Sequence, residues 1–401
     1  MAPIDTTRIG ADIERYVNAG VKHAGGPADA AVGAWVESAL RHEGFEVARQ
    51  DFETPYHISR DAFLSVNEQK ITVLPQALVV ATDQGGLRGR IVRADKGGPL
   101  TDSIALVILP HARWSTLTAR TVAGPVEDAV SRGAKAVLIV TNGPTGEAIF
   151  LNAAAAPSPR EPLAIVAPRH AGPVLEAAAR GDIATLTLTG ATGRRTAFNV
   201  HGRLQRSAEA PWLVMSTPRS GWTLCAGERG PGIAVWLALA RWAPSALTRY
   251  NLAVVCNSGH EYENLGAGHL LDSIAPPPSR TALWLHLGAN VATRDWHEAQ
   301  GRLLPLPSAD AQRYLVTSDD LLPAARTAFA GQAGLEHPYP VSAGAAGELA
   351  NVIGAGYRRV AGVFGAHRFH HVAGDDMSVI EPALIARAAE SFRALLIAAL
   401  A

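Results

Sequence analysis

Val254-Val255-Cys256-Asn257-Ser258-Gly259-His260-Glu261 is an apolar run of strand character that stops abruptly at a histidine and a carboxylate side by side. In an open α/β sheet, ligands gather beyond the carboxyl ends of the strands, so a strand ending here would send His260 and Glu261 into that crevice. Outward from this stretch, strand and helix alternate after Arg194: strand 212–216, helix 232–242, strand 250–256, helix 265–272 and strand 282–287. The alternation predicts an α/β fold, a mainly parallel sheet sandwiched by helices. An amphipathic helix over about 381–400 ends the chain. Near its start, helical spacing covers 12–21 and 28–42, the second helix closing on Arg41, His42 and Gly44, before a strand at 45–52.

Between these parts the texture changes. Gly85-Gly86-Leu87-Arg88-Gly89-Arg90-Ile91-Val92 opens a stretch with strands at 103–109, 134–140, 163–166 and 184–188 and a helix at 126–132. It reads as a compact mixed α/β insert over 86–192, leaving 1–85 and 193–401 as a discontinuous main domain. Length and composition agree with two cores: 401 residues, 48% hydrophobic and 18% charged. Thirty-six basic residues balance thirty-six acidic ones, so no net field favours nucleic acid or an anionic membrane. A small-molecule or short peptide partner is expected, and a homo-oligomer is compatible with the sequence. The first residues lack a secretory pattern and no apolar run is long enough to span a bilayer, which predicts a cytoplasmic protein. Cys225 and Cys256 are too few for a disulfide framework and lack a CxxC spacing, so both are expected as packed thiols.

Ser258-Gly259-His260-Glu261 followed by Leu265-Gly266, the closing His370-His371-Val372-Ala373-Gly374-Asp375-Asp376 and the order of elements resemble the co-catalytic zinc aminopeptidase family, which includes glutaminyl cyclases. The insert, with Gly86-Leu87-Arg88-Gly89-Arg90-Ile91-Val92 and Val126 to Leu138, resembles the protease-associated domain that many members carry. The resemblance implies hydrolysis, or intramolecular acyl transfer, at an amide bond of a small peptide or an acylated amine. The motifs depart from the family's in several places. Thr217-Pro218-Arg219 stands where the family has His-x-Asp; Glu228 stands for the bridging aspartate, His260 and Glu261 for the Glu-Glu pair, and His286 for a strand-ending aspartate. His371, with Asp375, matches the last histidine segment and is the preferred member of the cluster His367, His370 and His371, one or two of which read as surface or packing residues.

By this correspondence Glu228, His286 and His371 form one ligand set, and two nitrogens and an oxygen with an open fourth position suit a single zinc ion. A second ion would keep only Glu228 and Glu261, too few to hold zinc. An imidazole titrates near neutrality, so His260 would carry the proton between water and leaving amine, or Glu261 beside it would do so instead. Arg219, whose planar fork suits a carboxylate, predicts an acid-bearing substrate. Trp222, Trp284 and Glu348 are further candidates to line the site. Each has a plainer alternative: a core histidine at 286, a helix-dipole partner at Glu228, a solvated helix-start carboxylate at Glu348, packing tryptophans. Two other readings stay open. One is metal-independent catalysis through His260 and Glu261, with Ser216, Thr217, Ser220 or Cys225 as nucleophile although no Gly-x-Ser-x-Gly elbow marks them. The other is a non-catalytic binding protein on a peptidase fold.

Overall fold

The computed structural model describes residues 3–156 and 160–401. The chain forms two compact units, Met1–Glu53 with Thr196–Ala401, and Thr54–Arg195, and passes between them within the long strands Glu46–Val66 and Ile183–Leu204. The second unit begins well before residue 86, where the sequence suggests the insert starts. Leu64, Val66, Ile71 and Val73 are the reason, because they bury into the same core as Ile104 and Leu138.

In the first unit, four strands run parallel in the order Asn251–Asn257, Trp212–Pro218, Thr281–Leu287 and Val360–Gly365. Antiparallel strands flank them: the last part of Ile183–Leu204 on one side, and Arg313–Thr317 on the other, with Tyr339–Pro340 at the edge. All seven residues of Trp212–Pro218 and of Asn251–Asn257 are buried, as expected where helices cover both faces. From Trp212–Pro218 the chain moves to one neighbour, Asn251–Asn257, and then back across to Thr281–Leu287 on the other side. In open α/β sheets such a reversal is where the loops after the strands diverge and ligands bind, at the carboxyl ends.

Helix Gly230–Ala246 enters through Pro231 in its first turn, where a missing N–H costs nothing, and is apolar almost all round. It packs against helices Thr6–Asn18 and Pro382–Leu400, and its Trp236 Nε1 donates to Met215 O, 2.9 Å away, in the sheet beneath. Thr6–Asn18 buries Ile9, Ile13, Tyr16 and Val17 at helical spacing and is capped by Asp5, whose carboxylate accepts from the Thr7 and Arg8 N–H groups. Clamped this way, the first turn of Gly230–Ala246 is a fixed base for the residues just before it.

The second unit has its own parallel sheet, Leu87–Arg93, Ser103–Ile108, Ala136–Val140 and Leu163–Val166. Ile104 and Leu106 point into one core with Val174; Ala105 and Val107 point into another with Val122 and Val126. This is the two-residue period of a strand with helices on both sides. No helix among the described residues is long and apolar enough to cross a membrane.

Candidate functional site

The loops after the parallel strands bring together two buried polar groups of different kinds. The first is centred on Arg219, which follows strand Trp212–Pro218 and is wholly buried. Its Nη1 donates to Cys256 O at 2.9 Å, Nη2 to Phe198 O at 2.6 Å and Nε to Asp29 O at 3.2 Å, with the Asp29 carboxylate 2.9 Å from Nε. Asp29 Oδ2 accepts in addition from Ser258 Oγ and Gly25 N. Arg219, expected to meet a substrate carboxylate, is therefore spent on tying strand ends and the helix Pro27–His42 together.

Glu261 belongs to the same framework. Its Oε2 accepts from Ser220 Oγ at 2.6 Å and its Oε1 from Ala24 N at 2.7 Å. Burial, opposed by these two hydrogen bonds, pushes its carboxyl up to about 7. Both oxygens are engaged, which removes Glu261 from the proton-carrying role the sequence suggests. Trp284 likewise lies in the core rather than on a pocket wall, edge-on to Tyr357, with Nε1 donating to Ser216 Oγ at 2.8 Å. Trp222 is nearly buried, edge-on to His23 and Tyr262.

The second group forms where the segment before helix Gly230–Ala246 meets the segment after strand Val360–Gly365. Among the described residues, Glu228, His370 and His371 are three buried potential ligands whose donor atoms all lie within 4.8 Å of one another. His371 Nε2 is 3.0 Å from Glu228 Oε1 and donates to it. Glu228 Oε2 is buried with no hydrogen-bond partner. Burial works to raise the Glu228 carboxyl, but the Arg229 guanidinium and then His371 hold it well below the usual range. Burial, reinforced by His371, keeps the His370 imidazole well below its ordinary value, hence neutral, the form that ligates metals.

Local chain geometry builds this cluster. Asp375 accepts from Gly227 N at 2.6 Å and Glu228 N at 3.1 Å, which fixes the turn carrying Glu228. Gly227 is required there, since a Cβ would lie 2.8 Å from the His367 ring, Thr293 and Val379. His371 adopts a left-handed backbone with φ of 59°, uncommon for a residue with a side chain and typical of functional sites. Consecutive side chains in extended backbone point apart; this conformation lets the His370 and His371 rings stack 3.9 Å apart and serve one cluster. The sequence reading prefers His371 within the cluster His367, His370 and His371 because it matches the family's last histidine; the structure brings in His370 as well.

His286 is not a member of the three-residue group. Its Nδ1 instead lies 2.9 Å from Ser216 Oγ within the sheet, and burial lowers it to about 4. Ser216 already accepts from Trp284 and is itself buried mid-sheet, a poor position for a nucleophile. His260 and Glu348 do meet. His260 Nδ1 is 3.4 Å from Glu348 Oε1, while Asn257 Nδ2 donates to Oε2 at 2.8 Å. Glu348 is buried, not the solvated carboxylate that its position at a helix start suggests. His260 is pulled below its usual value, first by burial and then by Arg229, with Glu348 opposing. An imidazole that is neutral near pH 7, with Nδ1 directed at a carboxylate, leaves Nε2 as the acceptor. Arg229 and Glu228 both act on His260, so cluster and dyad share one electrostatic neighbourhood.

One nitrogen and one oxygen ligand type, buried and close, match zinc chemistry. Bonds of about 2.0–2.2 Å in a tetrahedron place neighbouring donors roughly 3.4 Å apart, within small side-chain adjustments of the cluster. The unpartnered Glu228 Oε2 supplies a donor atom that no protein group has claimed.

No protein-family model and no curated protein matches this sequence. Solved structures do match over its whole length. A zinc aminopeptidase from Bacillus subtilis superposes with a TM-score of 0.76 at 18% identity, covering 100% of this chain and 96% of the other. An M28 peptidase precursor from Shewanella amazonensis gives 0.75 at 17% identity, covering 98% and 93%. An aminopeptidase from Aneurinibacillus sp. strain AM-1 gives 0.71 at 18% identity, covering 99% and 94%. The chain thus has the zinc-peptidase-like α/β fold.

Proposed function

We propose that the chain is a hydrolase for an amide bond of a short peptide or an acylated amine, working with one zinc ion held by Glu228, His370 and His371. The observation that carries this reading is the buried Glu/His/His cluster at the carboxyl ends of the parallel strands. The aminopeptidase activity of proteins sharing the fold supports it, as fold-level analogy. In this reading the unit Thr54–Arg195 is a protease-associated-type insert.

Zinc, when bound, supplies Lewis acidity for polarising a carbonyl and acidifying water. This chain's residues do the rest. His260 takes the attacking water's proton on Nε2 and returns it to the leaving amine; Glu348 fixes the ring and stabilises its charged form. Asn257 holds Glu348 in place. Arg229 Nη2, 2.6 Å from Glu228 Oε1, already places a positive charge on the carboxylate a second ion would need, which supports one ion rather than two.

The test is elemental analysis of protein purified without added metal, alongside His370→Ala and His371→Ala, followed by hydrolysis of aminoacyl-4-nitroanilides and N-acyl amino acids. About one zinc per chain, lost in both variants, is expected, and His260→Ala should lower the hydrolytic rate roughly 10²–10⁴-fold. Failure to take up zinc when it is supplied would sink the proposal.

A further inference from the structure

Arg229 is a buried guanidinium with an incomplete set of acceptors. Its Nε donates to Ser220 O at 3.1 Å and its Nη2 lies 2.6 Å from Glu228 Oε1, though not aligned as a hydrogen bond. Its Nη1 is buried and has no hydrogen-bond partner. Arg219 provides the contrast within the same protein: equally buried, it directs Nε, Nη1 and Nη2 at three carbonyl oxygens. Leaving a buried donor unmade costs on the order of 1–3 kcal/mol, more when it is charged. A buried group left this way calls for an explanation, and a ligand that supplies the missing acceptor is one.

We infer that Arg229 is the residue that recognises an anionic oxygen of the substrate, so that the site takes amides bearing a free carboxylate, such as N-acyl amino acids. Nη1 offers two N–H bonds in the plane of a fixed fork, the geometry that a carboxylate accepts and an ammonium group cannot. Its neighbours decide where that oxygen can sit. Glu228 lies on the Nη2 side, Cys225 and Tyr16 are close enough to act on Arg229, and Glu348 acts from the His260 side. Arg229 shares its surroundings with Glu228 and the His260–Glu348 pair, and the inference places the amide that adjoins the bound carboxylate toward that polar cluster. The acid-bearing substrate that Arg219 suggests in the sequence is thereby reassigned to a different arginine.

This rests on the hydrolase reading only for the position of the substrate, and its test does not require turnover. Calorimetric titration of the full chain, as purified, with N-acetylglycine and with N-acetylglycinamide separates the carboxylate from the rest of the molecule. Wild-type protein is expected to bind the acid at least tenfold more tightly than the amide. In Arg229→Gln and Arg229→Lys the ratio should fall to within twofold, lysine failing because it lacks the planar fork. Should both variants misfold, the guanidinium resonances of the wild-type protein are followed by NMR, and one arginine is expected to shift on addition of N-acetylglycine. Equal wild-type affinities, no binding of the acid at millimolar concentration, a ratio that survives both substitutions, or no shifted guanidinium resonance would each overturn the inference. Acid recognition in a protein that takes up no zinc would leave this inference standing and the hydrolase proposal fallen; zinc uptake without acid preference would do the reverse.

Discussion

Arg219 and Arg229 stand on the same loop, both buried and both beside a carboxylate, yet the structure treats them differently. Around Arg219 every guanidinium nitrogen meets an oxygen, and Asp29 Oδ2 takes two further donors, although Asp29 Oδ1, 2.9 Å from Arg219 Nε, has no aligned hydrogen bond. Around Arg229 two guanidinium nitrogens, Nη1 and Nη2, and one oxygen of the neighbouring Glu228 remain without a hydrogen bond. The lesson is that burial and charge alone do not mark a functional residue. A guanidinium whose three nitrogens are all matched holds the chain in place; one with two unmatched nitrogens holds capacity for something else.

Breaking the saturated side should give the largest effect. Arg219→Met leaves Asp29 buried without its cation, and loss of one partner from such a pair costs about 3–5 kcal/mol. Urea unfolding should show that loss, while the zinc content of the folded fraction stays at the wild-type level. A variant of unchanged stability, or one that loses zinc first, would erase the distinction between the two arginines.

Glu261 gives the next test. Its carboxyl is raised by burial from its ordinary value near 4.5 to about 7, so the folded protein binds this proton more tightly than the unfolded chain. The resulting stabilisation is complete below about pH 4.5 and is lost as pH rises through about 7, on the order of 3 kcal/mol over that window. Glu261→Gln should flatten this part of the stability-versus-pH curve, read by denaturant titration at pH 5, 6, 7 and 8. An unaltered slope would mean that Glu261 is ionised in the fold and closer to the reactive side of the comparison.

Asp375 should give the smallest effect, and on the other side. It touches Glu228 only through the backbone, so Asp375→Asn is expected to weaken zinc by roughly 10–100-fold, as outer-shell partners do, and not to abolish uptake. Competition with a chromophoric chelator measures this. No change in affinity would show that the turn carrying Glu228 is fixed by Gly227 and its packing alone.

The main parallel strands and their helices were legible because period and apolar content act locally: Trp212–Pro218, Asn251–Asn257, Gly230–Ala246 and Thr281–Leu287 all stand where the alternation puts them. Arg302–Ala309 was not, since Pro305 and Pro307 interrupt the pattern of a strand that pairs only with its neighbour Arg294–Ala299. At the site, the residue types at 228, 260, 348 and 371 drew notice as chemistry-bearing groups in loops or at helix starts. His370 was read only as part of a histidine cluster in which His371 was preferred, and Arg229, adjacent to Glu228, was given no role.

By itself the sequence determined the α/β class and the succession of strands and helices from 212 to 287, because hydrophobic periodicity and capping are read over a few neighbouring residues; the strand Val360–Gly365, which carries the His370–His371 segment, was not read. Only the tertiary structure decided which members of those segments are partners. It turned Arg219 and Glu261 into framework, drew His286 toward Ser216, and set His370 beside His371 through a single left-handed residue. Those outcomes depend on which buried donor finds which acceptor across hundreds of residues, and that satisfaction of polar groups is settled in space, not along the chain.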